Sequence, residues 1–241
     1  MTHIVIDPGL CARDGICVAE CPLGLLVPGE DGLPVPVPDA DSRCIRCGHC
    51  FAACPKGALR LDGLSPDAAP AVSGRVGISP EAGLDFLISR RSIRNWKDRP
   101  LPRELVEKAL DAARYAPSGI NMQPAHWLVV EDSRLIRELA AMVADGLRQA
   151  GIMLDYVAAF DAGRDVLLRG APCLVIAHAD ATGWYDPTTD CILALSHFEL
   201  AAHALGFGTC WAGLFRRAAE TWPPLRERIG LPPGHKVCGA L

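Results

Sequence analysis

Two kinds of apolar spacing divide this chain near residue 80. Up to residue 61 the apolar positions come in short runs. His3–Ile6 and Ala58–Leu61 read as short strands, and Leu33-Pro-Val-Pro-Val-Pro alternates like an extended sheet edge inside a Pro/Gly-rich connector over 22–43. From residue 81 onward, apolar residues recur at three- and four-residue steps. Pro102 opens a helix with Leu105, Val106, Ala109, Leu110 and Ala113 on one face. Trp127–Val130 reads as a strand, and Asp132 caps a helix carrying Leu135, Leu139 and Met142. Cys173–Ala177 is a second strand. Asp186-Pro187 starts a long helix to about Leu205, and Gly208–Leu214 reads as a third strand. Strands alternating with helices predict α+β or α/β layers rather than a bundle. The reading gives a small domain over 1–61, a Ser/Pro/Gly-rich linker over 62–80 and a larger domain over 81–241.

Composition narrows the class. At 241 residues and 50% hydrophobic content, the chain has enough apolar surface for two cores. Net charge is −4 with no Lys/Arg block, which argues against nucleic acid or an anionic membrane as partner. Residues 191–215 are apolar, but His197, Glu199, His203 and a Gly-x-Gly break favour a buried helix over a membrane span. The first residues show no basic segment followed by an apolar one, so no signal peptide is predicted. Many cysteines without such a signal predict thiolate ligands in a reducing cytoplasm. Cys173, Cys191, Cys210 and Cys238 lie on apolar segments and are expected as core thiols. His126, His178, His197 and His203 have no motif around them and are expected in structural roles.

Seven of the eleven cysteines fall between residues 11 and 54. Cys44, Cys47, Cys50 and Cys54, followed by Pro55, have the spacing C-x2-C-x2-C-x3-C-P. Cys11, Asp14, Cys17 and Cys21, followed by Pro22, repeat it with an aspartate in the second place, so that a shift carrying Cys11 onto Cys44 overlays the two runs. A zinc site would share the Cys-x2-Cys pairs, but not the third cysteine, the Cys-Pro step or the duplication. The runs resemble those of bacterial two-cluster ferredoxins, where the cysteine before proline ligates the other cluster. That resemblance implies Cys11, Asp14, Cys17 and Cys54 at one site, and Cys44, Cys47, Cys50 and Cys21 at a second, four-iron (4Fe-4S) site. Carboxylate is a harder ligand than thiolate. The Asp14 site accordingly fits a three-iron (3Fe-4S) cluster, an aspartate-ligated four-iron cluster, one that interconverts, or a decayed site where Asp14 is only a loop residue. His49 is expected to be exposed or outside the ligand set.

Three further segments carry a second resemblance: Arg90-Arg91-Ser92-Ile93-Arg94, then Pro117-Ser118-Gly119-Ile120-Asn121-Met122-Gln123, then Gly206-Phe207-Gly208-Thr209-Cys210-Trp211-Ala212-Gly213. In this order they resemble the nitroreductase family of FMN enzymes, and with the front end the chain resembles ferredoxin-fused members. The resemblance implies a nitroreductase-like α/β sandwich, a central sheet flanked by helices, in a domain-entwined homodimer. It places Arg90, Arg91, Ser92 and Arg94 at the phosphate, ribityl chain and N1–O2 edge of FMN. It implies Pro117, Ser118, Gly119, Asn121 and Gln123 from the partner subunit, and Ala212 and Gly213 with backbone amides near N5. Arginines suit both the phosphate and the reduced ring; the alternative for Arg90 and Arg91 is a solvated helix end. The family continues into a Gly-Tyr-Pro segment and a basic tail. Here the sequence runs to Leu241, with His235 and Lys236 its last basic residues, so the tail is either absent or clipped.

The function expected from these resemblances is a reductase in which the clusters pass electrons to FMN and FMN reduces a small organic acceptor, with an external ferredoxin as one candidate donor. Gly206-x-Gly208 is followed by Trp211, so the Rossmann spacing fails; NAD(P)H binding over the flavin needs no such motif and stays open. An NAD(P)H-driven nitro or quinone reductase with accessory clusters, and a non-catalytic carrier or redox sensor, are the rival readings. No side-chain nucleophile stands out, and the catalytic residues are unassigned.

Overall fold

The computed structural model describes residues 4–68, 77–97 and 99–241. The chain forms two compact units, Met1–Gly77 with Ile120–Met122, and Ile78–Gly119 with Gln123–Leu241. His3 of the expected first strand and residues 69–76 of the expected linker lie outside the described residues.

The first unit is built from short elements. Strand β1 (Ile4–Ile6) pairs antiparallel with β4 (Leu59–Leu61), placing Ile4 opposite Leu61. Strand β2 (Leu26–Pro28) pairs with β3 (Pro34–Pro36), the alternating Pro-Val run. Three single-turn helices, α1 (Ile16–Ala19), α2 (Ala40–Arg43) and α3 (His49–Ala52), complete it. The duplication reappears in the backbone. Arg13 and Arg46 sit at φ 55° and 53°, Gly15 and Gly48 at 72° and 76°, and the two glycines precede α1 and α3. A left-handed arginine is uncommon, so its occurrence at both equivalent places marks a shared loop geometry. The core is small: Ile4, Leu25, Leu26, Leu59 and Leu61 pack with Cys17 and Cys50. A unit this size buries too little apolar surface to be robust alone.

The second unit has a three-stranded antiparallel sheet in the order β5 (His126–Val130), β6 (Leu174–Asp180), β7 (His235–Ala240). Side chains alternate across β6. Leu174 and Ile176 enter one core with helices α6 (Ser133–Ala150), α7 (Leu154–Asp161), α9 (Gly213–Thr221) and α10 (Pro223–Ile229). Val175, Ala177 and Ala179 enter the other, with α5 (Arg103–Ala113) and the long α8 (Thr188–Ala204). The sheet is therefore flanked by helices on both faces. Local signals set the helix ends: Asp132 accepts from Arg134 N–H at 2.8 Å, and Gly151 closes α6 at φ 66°. Pro102 caps α5 rather than starting it. α4 (Pro80–Ser89) begins inside the expected linker, capped by Ser79.

One expected element is absent. Gly208–Leu214 is not a strand; it makes a single parallel bridge, Ser92 with Thr209, and then turns into α9 at Gly213. The third strand is β7. Its neighbour Leu241 exchanges two backbone bonds with Val175, and Ala240 accepts from Ala212 N–H at 2.9 Å. No described helix is long and apolar enough to cross a membrane.

Candidate functional site

In the first unit the duplicated loops bring the cysteines into two groups. Burial raises the Cys17 thiol, and Cys11, Cys54 and Asp14 raise it further. Cys50 is pushed up to about 11, by burial first and then by Cys21, Cys47 and Cys44. Each group thus contains one cysteine from the other half. Cys21, Cys44, Cys47 and Cys50 also line one small cavity. Backbone N–H groups point at the sulfurs in matched fashion: Leu25 N to Cys21 Sγ and Ala58 N to Cys54 Sγ, both at 3.3 Å. Asp14 accepts from Ile16 N–H at 3.1 Å, and His49 is exposed. Crowded thiolates repel one another until a cation neutralises them. Two sets of soft donors, each supplied with N–H groups, fit iron–sulfur clusters. Among the described residues no three His, Cys, Asp or Glu side chains close around a single ion.

The second unit contains a cavity of about 540 Å³. Arg94, Ala212 and Gly213 line it. A Cβ built on Gly213 would meet nothing within 4 Å, so this position faces open space at the first turn of α9. Arg90, Arg91 and Ser92 lie just before the wall. Arg91 donates to the Ile88 and Arg90 carbonyls at 2.6 and 3.0 Å. Lys97, Arg99 and Arg169 add cationic groups to the wall, and the Trp96 indole N–H beside them is buried with no partner among the described residues. An unpaired buried donor costs roughly 1–3 kcal/mol. Arg94, Gly213 at the start of α9 and an apolar floor fit a flat anionic ligand such as a flavin mononucleotide. Cys173 and Cys210, expected in the core, line this cavity and are half-buried, whereas Cys191 and Cys238 are fully buried. Burial pushes the Cys173 thiol up to about 12, with Glu131 adding to the effect.

The segment 117–123 forms no part of that wall. Gly119 N–H donates to both carboxylate oxygens of buried Asp190, at 3.3 and 3.1 Å, and Tyr185 Oη donates to Asp190 at 2.6 Å. That bond to the carboxylate holds the Tyr185 hydroxyl up to about 12. Gln123 N–H donates to Ser118 Oγ, and Asn121 Nδ2 to the Cys47 carbonyl at 2.7 Å. Ile120, Asn121 and Gln123 all have positive φ, 46°, 55° and 47°. For a β-branched residue this is a genuine outlier, and such strain concentrates at ligand-binding segments.

Two groupings escaped the sequence reading. Glu199, nearly buried in α8, accepts from Arg90 Nη1 at 3.0 Å, Thr209 Oγ1 at 3.3 Å and Trp211 Nε1 at 3.1 Å, tying the first family segment to the third. The available signal was its charge within an apolar helix, since Glu is almost never buried unless paired. Strand register also gathers His126, His178 and His235, with ring centroids 5.0–5.6 Å apart and His178 Nδ1 2.9 Å from His235 Nδ1.

Comparison with known proteins identifies the family of each part of the chain. The nitroreductase family model matches residues 87–241, and that of a 4Fe-4S dicluster domain matches residues 10–59. A putative NADH dehydrogenase/NAD(P)H nitroreductase of Methanothermobacter thermautotrophicus is 29% identical over 149 residues, 61% of this chain and 64% of that one. The chain therefore spans just under two thirds of that relative. A protein of the same description from Archaeoglobus fulgidus is 33% identical over 154 residues, 63% of this chain and 78% of its own. The crystal structure of a nitroreductase with bound FMN from Desulfitobacterium hafniense superposes with a TM-score of 0.56 at 28% identity, covering 65% of this chain and 85% of that chain. The chain belongs to the nitroreductase family and carries an N-terminal 4Fe-4S dicluster ferredoxin domain.

Proposed function

We propose that the protein is an FMN-dependent oxidoreductase whose N-terminal clusters deliver electrons to the flavin for reduction of a small organic acceptor. The carrying observation is the crossing of cysteines, Cys54 into the group of Cys11, Asp14 and Cys17, and Cys21 into that of Cys44, Cys47 and Cys50. It supports two clusters in the same chain as a nitroreductase domain. When bound, the clusters supply one-electron transfer and the flavin supplies two-electron chemistry.

The chain's own part is to hold and orient these groups. Arg91, Ser92 and Arg94 bind the flavin, Arg90 sets their position through Glu199, and the Gly213 amide faces the ring; the Ala212 N–H, expected beside it, is instead held by the Ala240 carbonyl. Pro117, Ser118, Gly119, Asn121 and Gln123 serve the flavin of a second copy. The homodimer reading is supported by α4, where Leu84, Leu87 and Ile88 are all more than half exposed. NAD(P)H as a direct reductant is a second reading, supported by the relatives' descriptions as NAD(P)H nitroreductases.

The test is rapid mixing of the anaerobically purified full chain, separately with a reduced one-electron donor protein and with NAD(P)H. Flavin bleaching by the protein donor that fails in Cys47→Ala supports delivery through the clusters. Equal bleaching in both proteins removes the clusters from the path. Arg94→Ala should weaken FMN binding, since a charge-assisted contact contributes about 1.5–3 kcal/mol, and adding Arg90→Ala should deepen the loss by releasing the segment from Glu199; unchanged affinity in the double variant would remove those residues from the site.

A further inference from the structure

We infer that the 540 Å³ cavity takes an aromatic acceptor bearing an oxyanion, gripped by Lys97, Arg99 and Arg169. The inference rests on the flavin reading above and names the class of molecule reduced there.

The three cations lie outside the segments that resemble the family's flavin contacts. None of them forms an ion pair among the described residues, and no described carboxylate side chain lines the cavity. Concave walls carrying one sign of charge concentrate field and draw in the opposite charge. Arg169 is placed by a built loop rather than left to wander. Asp165 accepts from Leu167 and Leu168 N–H at 2.9 Å and from Gly170 N–H at 2.8 Å, and these bonds hold Arg169 at φ 60°. A non-glycine residue in that conformation persists where its surroundings over-determine it. The orphaned Trp96 N–H adds a neutral donor to the same wall.

The remainder of the cavity selects for an aromatic body. Leu105, Leu167, Leu168, Phe198 and Phe207 also line it and give an apolar body its contacts. Its size lies in the range of small-molecule sites, about 300–1,000 Å³. A planar arginine fork matches a carboxylate or phosphate.

The experiment compares 4-nitrobenzoate with the neutral 4-nitrobenzamide as ligands of the flavin-loaded full chain, at low salt, by perturbation of the flavin spectrum. The expected result is roughly tenfold tighter binding of the anion, lost in Arg169→Ala and partly kept in Arg169→Lys. FMN and riboflavin affinities should be unchanged by Arg169→Ala. Equal binding of the two nitro compounds by the wild type overturns the proposal. So does an Arg169→Ala variant that loses FMN affinity but keeps riboflavin affinity, because the charge then belongs to the cofactor phosphate. If the chain retains no flavin, the functional reading falls instead, and calorimetry on the flavin-free chain with the same two compounds still decides the anion preference.

Discussion

Glu199 and Arg90 form an ion pair at 3.0 Å in which the carboxylate is 8% exposed and the guanidinium 32%. Glu199 also holds Thr209 and Trp211, so one carboxylate fixes the segment beginning at Arg90 against the segment around Thr209. Glu199→Ala should lower stability by roughly 1–3 kcal/mol, because it strands buried donors. Glu199→Gln keeps an acceptor and should cost less. Urea titration measures both; an alanine variant that unfolds at the wild-type midpoint would show that the three contacts add nothing.

A close approach of backbone to side chain gives a second prediction. A Cβ on Gly208 would lie 2.8 Å from Ile93 Cβ and closer still to Ile93 Cγ1. Gly208→Ala should destabilise the second unit by about 1–3 kcal/mol through overpacking. Adding Ile93→Ala should recover part of the loss. Non-additive thermal midpoints in the double variant are the expected signature.

The histidine cluster makes stability depend on pH. Burial, then His235 and His126, hold His178 down at about 4 against an ordinary 6.5. The unfolded chain takes up this proton near 6.5 and the folded chain resists it to about 4. Stability from this group is complete above 6.5 and is lost as the pH falls through that window. His178→Gln should remove on the order of 2 kcal/mol of the difference between pH 7 and pH 4.5. Parallel pH profiles for the two proteins would contradict this.

Asp14 should make the first cluster the labile one. Exposed to air, the protein should give a three-iron signal in electron paramagnetic resonance, which Asp14→Cys converts to a stable four-iron cluster. Two equally robust four-iron clusters in the wild type would end the reading of Asp14 as a weak ligand. Cys21→Ala should damage the second cluster, despite lying in the first run.

The parts legible in the sequence were those with local causes. Asp132 announced α6 through its cap, and the cysteine spacing announced the paired loops. Gly208–Leu214 misled because Trp211 and Leu214 give it a strand-like apolar content, yet the positions of Thr209 and Ala212 are set by distant backbones at Ser92 and Ala240. β7 went unread because Lys236 and Gly239 weaken its pattern. A Cβ on Gly239 would press on the Leu195 Cδ1 methyl, so glycine leaves that side chain its place. His126, His178 and His235 are neighbours only through strand register, which no local window contains. The cavity's cations, unpaired among the described residues, are likewise a property of what surrounds them in space.

The matched left-handed arginines, Arg13 and Arg46, give the first unit an unusual experimental property. Every residue in one loop has a counterpart in the other, folded in the same solution and exposed to the same reductant. Among the predicted ligands, Asp14 and Cys47 are the one mismatched pair. The molecule therefore carries its own control experiment: a substitution made in one loop can be read against its untouched twin. A behaviour that separates the two clusters then traces to the side chains the twins do not share, or to a contact that one loop alone receives, as the Cys47 carbonyl does from Asn121.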